Sequence, residues 1–391
     1  MKKSQPPNKT PQPGTAFLAY SGYDLRFMFP VLFLVGIGMV MVYSASSAIA
    51  VQKIGNGTYF LKRQAVFAVL GIAALVLCRH FPIRFFRFLT YPLLILSFFF
   101  LVLIQVSDSG YSAGGAVRWL RFGSFSFQPS EFSRFVLVEY LAYSMSRKLD
   151  RLEDFYIGFL PHVMVLGIFI VLIMLQPDFG SAVILGAITW IMMFVGGVRV
   201  KYLLSSLMMG IPIVLLFLVS ADYRIQRVIA FWDPWKHASD LGYQTIHSLM
   251  AFGTGGLWGA GVGKGYQKLF YLPEPHTDFI FSVIGEELGF AGVLLIIGLY
   301  VLIIMKGIKV AMDAKEPFES FFALGLTAAM GLQVCVNMGV ALALLPTKGL
   351  TLPFLSYGGT SLVLNMASIG FLMNIGAKTA KNEQLPIVSE Q

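Results

Sequence analysis

The segment Tyr271-Leu-Pro-Glu-Pro-His-Thr-Asp278 ends on an acidic residue, after two prolines and directly before a long apolar run. A carboxylate in this position could accept a proton from a hydroxyl group or hold a divalent cation. Charged groups at the edge of a membrane span are costly and are therefore candidates for function. Thr277 or Asp278 could instead serve only as a helix N-cap, because a side-chain oxygen there accepts a free first-turn N–H. The residues alone leave both interpretations open.

A helix that includes Asp278 would present a nearly bare face on the side of this carboxylate, at about 100° per residue. The residues on that face are Ser282, Gly285, Gly289 and Gly292. Either a neighbouring helix or a lipid-linked substrate could approach such a face closely. Glu286 and Glu287 point away from it, so neither is expected to form a carboxylate pair with Asp278.

Cationic residues occur in several segments that are predicted to lie on the same side of the membrane as Asp278. They are Arg118, Arg121, Lys264, Lys268 and Lys348. Cations suit a diphosphate, a carboxylate suits proton removal from a sugar hydroxyl, and an apolar groove between helices suits a polyprenyl tail. These residues predict an enzyme or a transporter that acts on a lipid-linked anionic substrate.

The motif Gln128-Pro-Ser-Glu-Phe-Ser-Arg134 opens a further apolar run. Proline, Ser130 and Glu131 are typical of a first helical turn. Glu131 and Arg134 are three residues apart and could pair on one helix face. A structural ion pair is the favoured interpretation, and direct chemistry is the alternative. Glu139 lies deeper in the same run and requires a partner that the sequence does not identify.

The composition indicates an all-α polytopic membrane protein. Of the 391 residues, 57% are apolar and 13% are charged, against about 25% charged in soluble domains. The apolar runs are long and do not alternate, which favours helices over barrel strands. The net charge of +9 is spread over the loops and indicates no nucleic-acid partner. The two cysteines lie in apolar runs and predict neither a metal site nor a disulfide.

About ten spans are predicted. They cover 27–47, 62–79, 86–106, 129–146, 156–176, 181–198, 202–220, 277–305, 318–344 and 355–375. Residues 1–22 are expected to form a disordered tail before an uncleaved signal anchor, because they are polar and rich in proline. The membrane domain is expected to cover 23–377, and a second tail 378–391.

Lys and Arg are denser in the segments that lie on the same side as the N-terminus, so both termini are predicted to be cytoplasmic and Asp278 extracytoplasmic. Three outer segments stand out. Residues 107–128 form a predicted loop that carries Arg118. Residues 221–276 are expected to contain short helices at the membrane surface, because the segment is rich in Trp, Tyr and Gly. Residues 345–359 are expected to be rigid or re-entrant, with Lys348 as their only charge.

Several motifs resemble those of the SEDS family (shape, elongation, division and sporulation). They are Arg118-Trp-Leu, Gln128-Pro-Ser-Glu, Gln176-Pro-Asp-Phe-Gly180, His276-Thr-Asp-Phe-Ile-Phe with Gly285-Glu-Glu-Leu-Gly289, Pro346-Thr-Lys-Gly-Leu and Leu355-Ser-Tyr-Gly-Gly. The resemblance covers about residues 25–377. Gln267-Lys-Leu-Phe-Tyr-Leu-Pro-Glu and the Pro346 motif are similar to the division type of this family.

The resemblance implies a ten-helix peptidoglycan glycosyltransferase that polymerises lipid II at the outer face of the bacterial cytoplasmic membrane, at the division septum. It implies that Asp278 is the essential acid, as a base or as the holder of Mg²⁺ or Mn²⁺. The substrate-binding residues that it implies are Arg118, Trp119, Arg121, Gln128, Ser130, Glu131, Arg134, His276, Thr277, Lys348, Ser356 and Tyr357. The implied partners are a class B penicillin-binding protein and other divisome membrane proteins.

Two alternatives remain at this level, a lipid II flippase and a non-catalytic divisome scaffold. A flippase needs polar groups along the full depth of the membrane, and Glu139, Glu286 and Glu287 keep that hypothesis open. The chain also departs from the family pattern at Arg134, His247 and Thr360, where Lys, Gln and Ser are usual. None of these positions is expected to touch Asp278.

Overall fold

The structure is a computed structural model that describes residues 24–106, 110–113, 116–122, 125–219, 222–269 and 271–384. Its helices are α1 Leu25–Ile54, α2 Tyr59–His80, α3 Ile83–Val106, α4 Pro129–Ser146, α5 Leu160–Met174, α6 Phe179–Val195, α7 Val200–Val219, α8 Asp222–Trp232, α9 Tyr243–Gly255, α10 Ile280–Asp313, α11 Pro317–Ala341 and α12 Gly359–Gln384. A single π-helical turn, Phe155–Phe159, leads directly into α5.

Each of the ten predicted spans falls on one of these helices, and the all-α polytopic fold is confirmed. Within the described residues, seven helical segments are long and apolar enough to cross a membrane, and α6 and α7 add two shorter apolar helices. The remaining span is α4, which is less apolar because it carries buried charged residues. It tolerates them because it lies inside the bundle, where nearly all of its side chains are buried.

The bundle has a packed interior and an apolar outer surface. α4 packs against α3 and α11, α10 lies along α11 and α1, and α2 lies along α12. Side chains such as Phe88 on α3 and Met208 on α7 remain exposed, as expected for surfaces that face lipid. The chain is therefore a multi-pass membrane protein.

The predicted loop 107–128 contains a small antiparallel sheet in its described part. Its strands are β1 Gly110–Ala113, β2 Ala116–Phe122 and β3 Phe125–Phe127, in the order β1-β2-β3. Tyr111 pairs with Trp119, and Leu120 pairs with Phe127. The sequence predicts a loop here and no strands, because strands this short carry too few alternating positions to be recognised.

The long segment between α7 and α10 contains the short helices that the sequence predicts. They are α8, the 3₁₀ turn Pro234–His237 and α9. Trp232 and Trp235 are 82% and 65% exposed. Exposed indole rings are typical of the membrane–water interface, but the depth of these helices in a membrane stays a prediction.

α10 does not begin where the sequence predicts. Its first residue is Ile280, so Asp278 lies in a turn before the helix and shares no helical face with the glycines that follow. The helix is also interrupted at Gly289, whose φ of 67° is left-handed. At the other end of the chain, α12 continues to Gln384, beyond the predicted start of a tail at residue 378. The predicted tail 1–22 and residues 385–391 lie outside the described residues.

Candidate active site

Asp278 lies in the turn before α10 and is partly buried against the loop that joins α11 to α12. Gly349 of that loop is so close that an added Cβ would lie 2.8 Å from Asp278 Oδ2. The N-cap position of α10 is Phe279, and no side chain caps the helix there. The interpretation of Asp278 as only a helix cap was therefore wrong. Its carboxylate remains available for a ligand.

Hydrogen bonds from side chains to the main chain fix the turn that carries Asp278. Asn337 of α11 donates from Nδ2 to Asp278 O at 3.0 Å and to Leu350 O at 2.5 Å. Ser356 donates from Oγ to Thr277 O at 2.6 Å. Gln64 of α2 in turn donates to Ser356 O at 3.2 Å. Two helices, α11 and α2, and the loop between α11 and α12 thus hold one short segment in place.

His276 and Tyr357 belong to the same assembly. The Tyr357 N–H donates to His276 O at 2.8 Å, and the His276 ring packs 4.5 Å from the Phe60 ring, centroid to centroid. Burial, with a smaller contribution from the charge of Lys53, lowers the pKa of His276 to about 4. The ring is therefore neutral near pH 7. His276, Thr277, Ser356 and Tyr357 lie together, and their contacts position the turn that carries Asp278, whereas their part in substrate binding stays a prediction.

The pKa of Asp278 is raised to about 7. Burial is the main cause, and the negative charge of Glu274 adds to it. The positive charge of Arg118 and a hydrogen bond from Thr277 act in the opposite direction. A carboxylate with a pKa near neutrality is well suited to accept a proton at physiological pH.

Lys348 is held by Asp178, the residue before α6. Lys348 Nζ lies 3.2 Å from Asp178 Oδ1, and Ser181 Oγ donates to Asp178 Oδ2 at 2.6 Å. Burial alone would raise the pKa of Asp178, but the charges of Lys348 and Arg118 and the Ser181 hydrogen bond hold the pKa below its usual value. The Lys348 side chain crosses Gly180, where an added Cβ would overlap its Nζ. The positive charge predicted for substrate binding is thus already paired.

Of the remaining predicted residues, Arg118 of the sheet and Ser130 at the start of α4 lie next to the segment Pro177-Asp178 before α6. Arg118 donates from Nη2 to Pro177 O at 2.7 Å, and its Nε is buried without a partner among the described residues. Gln128 donates to Ser130 Oγ at 3.2 Å, and Ser130 Oγ lies 3.5 Å from Asp178 Oδ2. Trp119 is partly buried on the strand next to Arg118. The side chain of Arg121 lies outside the described part of the structure.

Glu131 and Arg134 lie deeper, and the direct ion pair predicted for them was wrong. Glu131 Oε1 accepts a hydrogen bond from Thr351 Oγ1 at 3.4 Å, and Glu131 Oε2 has no partner among the described residues. Both side chains line a cavity of about 20 Å³ together with Asn365 and Ser368. Their charges interact across this space without contact.

The other acidic residues of the spans have partners away from Asp278. Glu287 forms a buried ion pair with Lys268 at 2.5 Å and accepts a hydrogen bond from Ser44 Oγ at 2.7 Å. Glu286 accepts from the Tyr266 main-chain N–H at 2.7 Å. The prediction that Lys268 belongs to the cations around Asp278 was therefore wrong. These two carboxylates instead fix the loop before Asp278.

Two further residues of the spans have structural roles. Glu139 accepts a hydrogen bond from Thr90 Oγ1 at 2.8 Å, which supplies the partner that the sequence left open. Gly285 contacts the Phe252 ring, and an added Cβ on Gly255 would lie 2.0 Å from Gly285 O. At Gly285 the glycine face of α10 therefore accommodates α9, and at Gly289 it lies against segment 257–259, which favours the packing alternative.

Two polar residues that organise the site were absent from the predicted site residues. Asp178 lies within the motif Gln176-Pro-Asp-Phe-Gly180, and an acid in a break between two apolar runs is the signal that could have identified it. Asn337 lies in an otherwise apolar stretch of α11. Neither residue's partner could be read from spacing, because Asp178 and Lys348 are 170 positions apart.

The site offers little to a metal ion beyond Asp278 itself. Within the described residues, no group of three or more His, Cys, Asp or Glu side chains could hold a metal ion. Mg²⁺ is often held by one or two carboxylates together with phosphate oxygens of the substrate. Asp278 could hold a divalent cation only together with phosphate oxygens of the substrate.

The fold and this geometry define a polytopic membrane protein with an enzyme-like site at one end of its helix bundle. The family model for cell cycle proteins of the FtsW, RodA and SpoVE group matches residues 25–381. The chain therefore belongs to this family, which is the SEDS family that its motifs resemble. Its relatives identify it as a member of the FtsW type.

Two relatives carry the description "probable peptidoglycan glycosyltransferase FtsW". The protein from Geobacter sulfurreducens is 43% identical over 91% of this chain and 95% of its own length. The protein from Trichlorobacter lovleyi is 45% identical over 91% of this chain and 93% of its own length. A solved chain is similar in structure, with a TM-score of 0.74 and 30% identity over 91% of this chain and 98% of that one. It comes from work on the structural coordination of polymerization and crosslinking by a peptidoglycan synthase complex.

Proposed function

We propose that this protein is a peptidoglycan glycosyltransferase that polymerises lipid II into β-1,4-linked glycan strands during cell division. The single observation that carries the proposal is the position of Asp278. Its carboxylate lies in the turn before α10 beside Gly349, is not used as a helix cap, and has its pKa raised to about 7 by burial. The names of its relatives support the same activity.

In the proposed reaction, the 4-hydroxyl group of the acceptor sugar attacks the anomeric carbon of the donor. The new C–O bond forms while the bond to the diphosphate oxygen breaks, and that oxygen takes the electron pair. Asp278 accepts the hydroxyl proton, so undecaprenyl diphosphate leaves and the anomeric carbon is inverted. A base that is half-ionised near pH 7 balances the correct protonation state against proton affinity.

Two cations near Asp278, Lys348 and Arg118, differ in whether their charge is already paired. Lys348 is paired with Asp178 at 3.2 Å, so its charge is largely compensated. Arg118 donates one N–H to Pro177 O, and its Nε has no partner in the part of the chain that the structure describes. We therefore assign to Arg118 the stabilisation of the leaving diphosphate, and to Lys348 the positioning of the loop that contacts Asp278.

A divalent cation would be held by Asp278 together with the diphosphate of the substrate, and would neutralise part of the charge on the leaving group. The proposal includes a class B penicillin-binding protein as partner, other divisome membrane proteins, both termini in the cytoplasm and a place at the division septum. The structural relative from a peptidoglycan synthase complex supports a crosslinking partner.

The flippase alternative loses its main support. Glu286 and Glu287 would have to face a substrate path, but their carboxylates accept hydrogen bonds from the loop that ends before Asp278, and Glu287 pairs with Lys268. The carboxylates of Glu286 and Glu287 are therefore not available to line a path for a diphosphate through the membrane. The scaffold alternative predicts no turnover and is decided by the same assay as the polymerase.

Replacement of Asp278 tests the proposal most directly. The protein is purified with its penicillin-binding protein and incubated with lipid II, with and without Mg²⁺, and the strands are resolved by gel electrophoresis. We expect Asp278→Ala and Asp278→Asn each to lower strand formation at least about a hundredfold, since general base catalysis contributes roughly 10²–10⁴-fold.

Asp313→Ala is the matched control, because this acid is exposed at the far end of the same helix. It should retain the activity of the wild type. Strand formation by folded Asp278→Ala at the wild-type rate would contradict the assignment of Asp278. A folded wild-type complex that makes no strands would contradict the polymerase itself.

A further inference from the structure

A second pocket opens beside the candidate active site and has no part in the reaction described above. Its volume is about 420 Å³, which lies within the usual range of ligand sites. It is lined by Arg227 of α8, by Asp240, Tyr243 and Gln244 at and before the start of α9, and by Pro273 and Thr347. The helices of the long segment between α7 and α10 thus form one wall, and the loops around Asp278 form the other.

The pocket and the candidate active site share their loops. Pro273 belongs to the turn that leads to Asp278, and Thr347 directly precedes Lys348. The charge of Arg227 reaches Lys348, where it contributes to lowering the pKa of that residue, although burial is the larger cause. A single ligand could therefore occupy both places, with one part at Asp278 and another part in the pocket.

The charges of the pocket are suited to a ligand that carries both signs. Arg227 and Asp240 are both exposed, and among the described contacts neither forms an ion pair. A diphosphate would be attracted by Arg227 but repelled by Asp240, and a polyprenyl chain would gain nothing from either. A peptide offers carboxylates to the guanidinium and N–H or amino groups to the carboxylate. Tyr243 and Gln244 add an aromatic ring and an amide to the same wall.

We propose that this pocket binds the peptide arm of the lipid-linked substrate, with Arg227 on a peptide carboxylate and Asp240 on a peptide N–H or amino group. The inference rests on the proposed function, because the peptide is attached to the disaccharide on which Asp278 acts. It gives the long segment between α7 and α10 a direct role in substrate binding. It also gives a role to the exposed charges of Arg227 and Asp240 in a pocket that borders the site.

The test compares two substrates that share the same polyprenyl diphosphate and disaccharide. One carries the pentapeptide, and in the other the peptide is replaced by a methyl amide. Binding to the purified complex is measured by fluorescence anisotropy of tail-labelled analogues, and KM and kcat are measured for strand formation. The variants are Arg227→Gln and Asp240→Asn. The control is Lys236→Gln, an exposed residue of the same segment that does not line the pocket.

For the pentapeptide substrate, we expect Arg227→Gln and Asp240→Asn each to weaken binding and raise KM about tenfold, with kcat nearly unchanged. For the peptide-free substrate, neither variant should differ from the wild type, and Lys236→Gln should behave as the wild type with both. An equal loss with both substrates would assign the pocket to the sugar or the diphosphate and overturn the inference. No loss with either would overturn it as well.

These failures are separable from a failure of the proposed function. When the variants lose binding equally with both substrates, or with neither, the wild type still forms strands, so the polymerase assignment stands. If the peptide-dependent binding differences appear but the wild type forms no strands, the pocket assignment stands and the polymerase assignment falls.

Discussion

At the scale of single residues, the site depends on groups whose charge is set by their surroundings. Asp278 and His276 lie two positions apart in one turn, and burial acts on both. It raises the pKa of the acid to about 7 and lowers the pKa of the imidazole to about 4. Near pH 7 the turn therefore presents a half-ionised carboxylate beside a neutral ring, which leaves Asp278 as the group that exchanges a proton.

The first residue-scale prediction concerns pH. Below about pH 7 the Asp278 carboxyl group keeps its own proton and accepts no other. The rate of strand formation by the wild type should therefore rise about tenfold per pH unit below that value and level off above it. The measurement is kcat at saturating lipid II from about pH 5.5 to 8.5. A rate that is flat over this range would contradict the role of Asp278 as base.

The raised pKa of Asp278 also makes the stability of the protein depend on pH. The pKa of Asp278 is raised in the folded protein, so its contribution to stability is fully present below the unfolded pKa near 3.8 and is lost as the pH rises through about 7. Asp278→Asn should therefore unfold at a higher temperature than the wild type at pH 8, and the difference should shrink towards pH 4. This control also shows whether an inactive Asp278→Asn variant is folded.

The second residue-scale prediction concerns the pair of Lys348 and Asp178. Lys348→Met leaves a buried carboxylate without its partner, which should lower the free energy of unfolding by about 3–5 kcal/mol. The double variant Asp178→Asn with Lys348→Met should regain most of that loss, because no buried charge is left alone. Thermal unfolding of the purified protein measures both. Losses that simply add in the double variant would contradict a direct coupling.

At the scale of elements, the site is made of loops that helices hold through their side chains. Asn337 on α11 and Gln64 on α2 both donate to carbonyl groups of these loops. The long segment before Asp278 is fixed in the same manner by Glu286 and Glu287 of α10. Polar residues inside apolar helices, which are costly in a membrane, here supply the partners of irregular backbone.

The element-scale prediction concerns the contact of α9 with α10. Gly255→Ala would place a Cβ 2.0 Å from Gly285 O, and a main-chain atom is unable to move aside without shifting a helix. We expect a loss of about 1–3 kcal/mol in stability and reduced strand formation. Gly253→Ala on the same helix is the control, since nothing lies within 4 Å of its added Cβ. Equal melting temperatures for the two variants would contradict this packing.

Sequence patterns predicted the elements well and their partners poorly. Apolar runs located the ten predicted spans, because a helix in a membrane must be largely apolar, although α6 and α7 are short and α4 carries buried charged residues. Asp278 was singled out because an acid beside an apolar run is costly, and its role in the reaction stays a prediction. Asp178 as the partner of Lys348, and Lys268 as the partner of Glu287, were not recognised, because these contacts join distant segments. The start of α10 was misplaced by a few residues, which removed Asp278 from the predicted helix face.

At the scale of the whole molecule, one end of the bundle carries the site and the other carries a network of ion pairs. Lys378 of α12 pairs with Glu319 of α11 at 2.6 Å, and Lys306 of α10 pairs with Asp24 before α1 at 2.6 Å. Which of these two ends faces the cytoplasm stays a prediction from the distribution of Lys and Arg along the sequence.

The whole-molecule prediction tests this orientation in cells. Cys78 and Cys335 are replaced by serine, and a single cysteine is introduced as Lys236→Cys or Lys315→Cys. A membrane-impermeant maleimide should label position 236 in intact spheroplasts and position 315 only after the membrane is permeabilised. Labelling of position 315 alone before permeabilisation would reverse the orientation and place Asp278 on the cytoplasmic side.

The hydrogen bonds that fix the Asp278 turn have a consequence for drug resistance. Asn337, Ser356 and Gln64 bind main-chain carbonyl groups, whose chemistry no substitution alters. A compound that binds the main chain of this turn and the carboxylate of Asp278 would contact few side chains that can be substituted. Escape mutations would have to alter either the acid or the residues that hold its turn, and if Asp278 is the base proposed above, both routes are expected to lower activity.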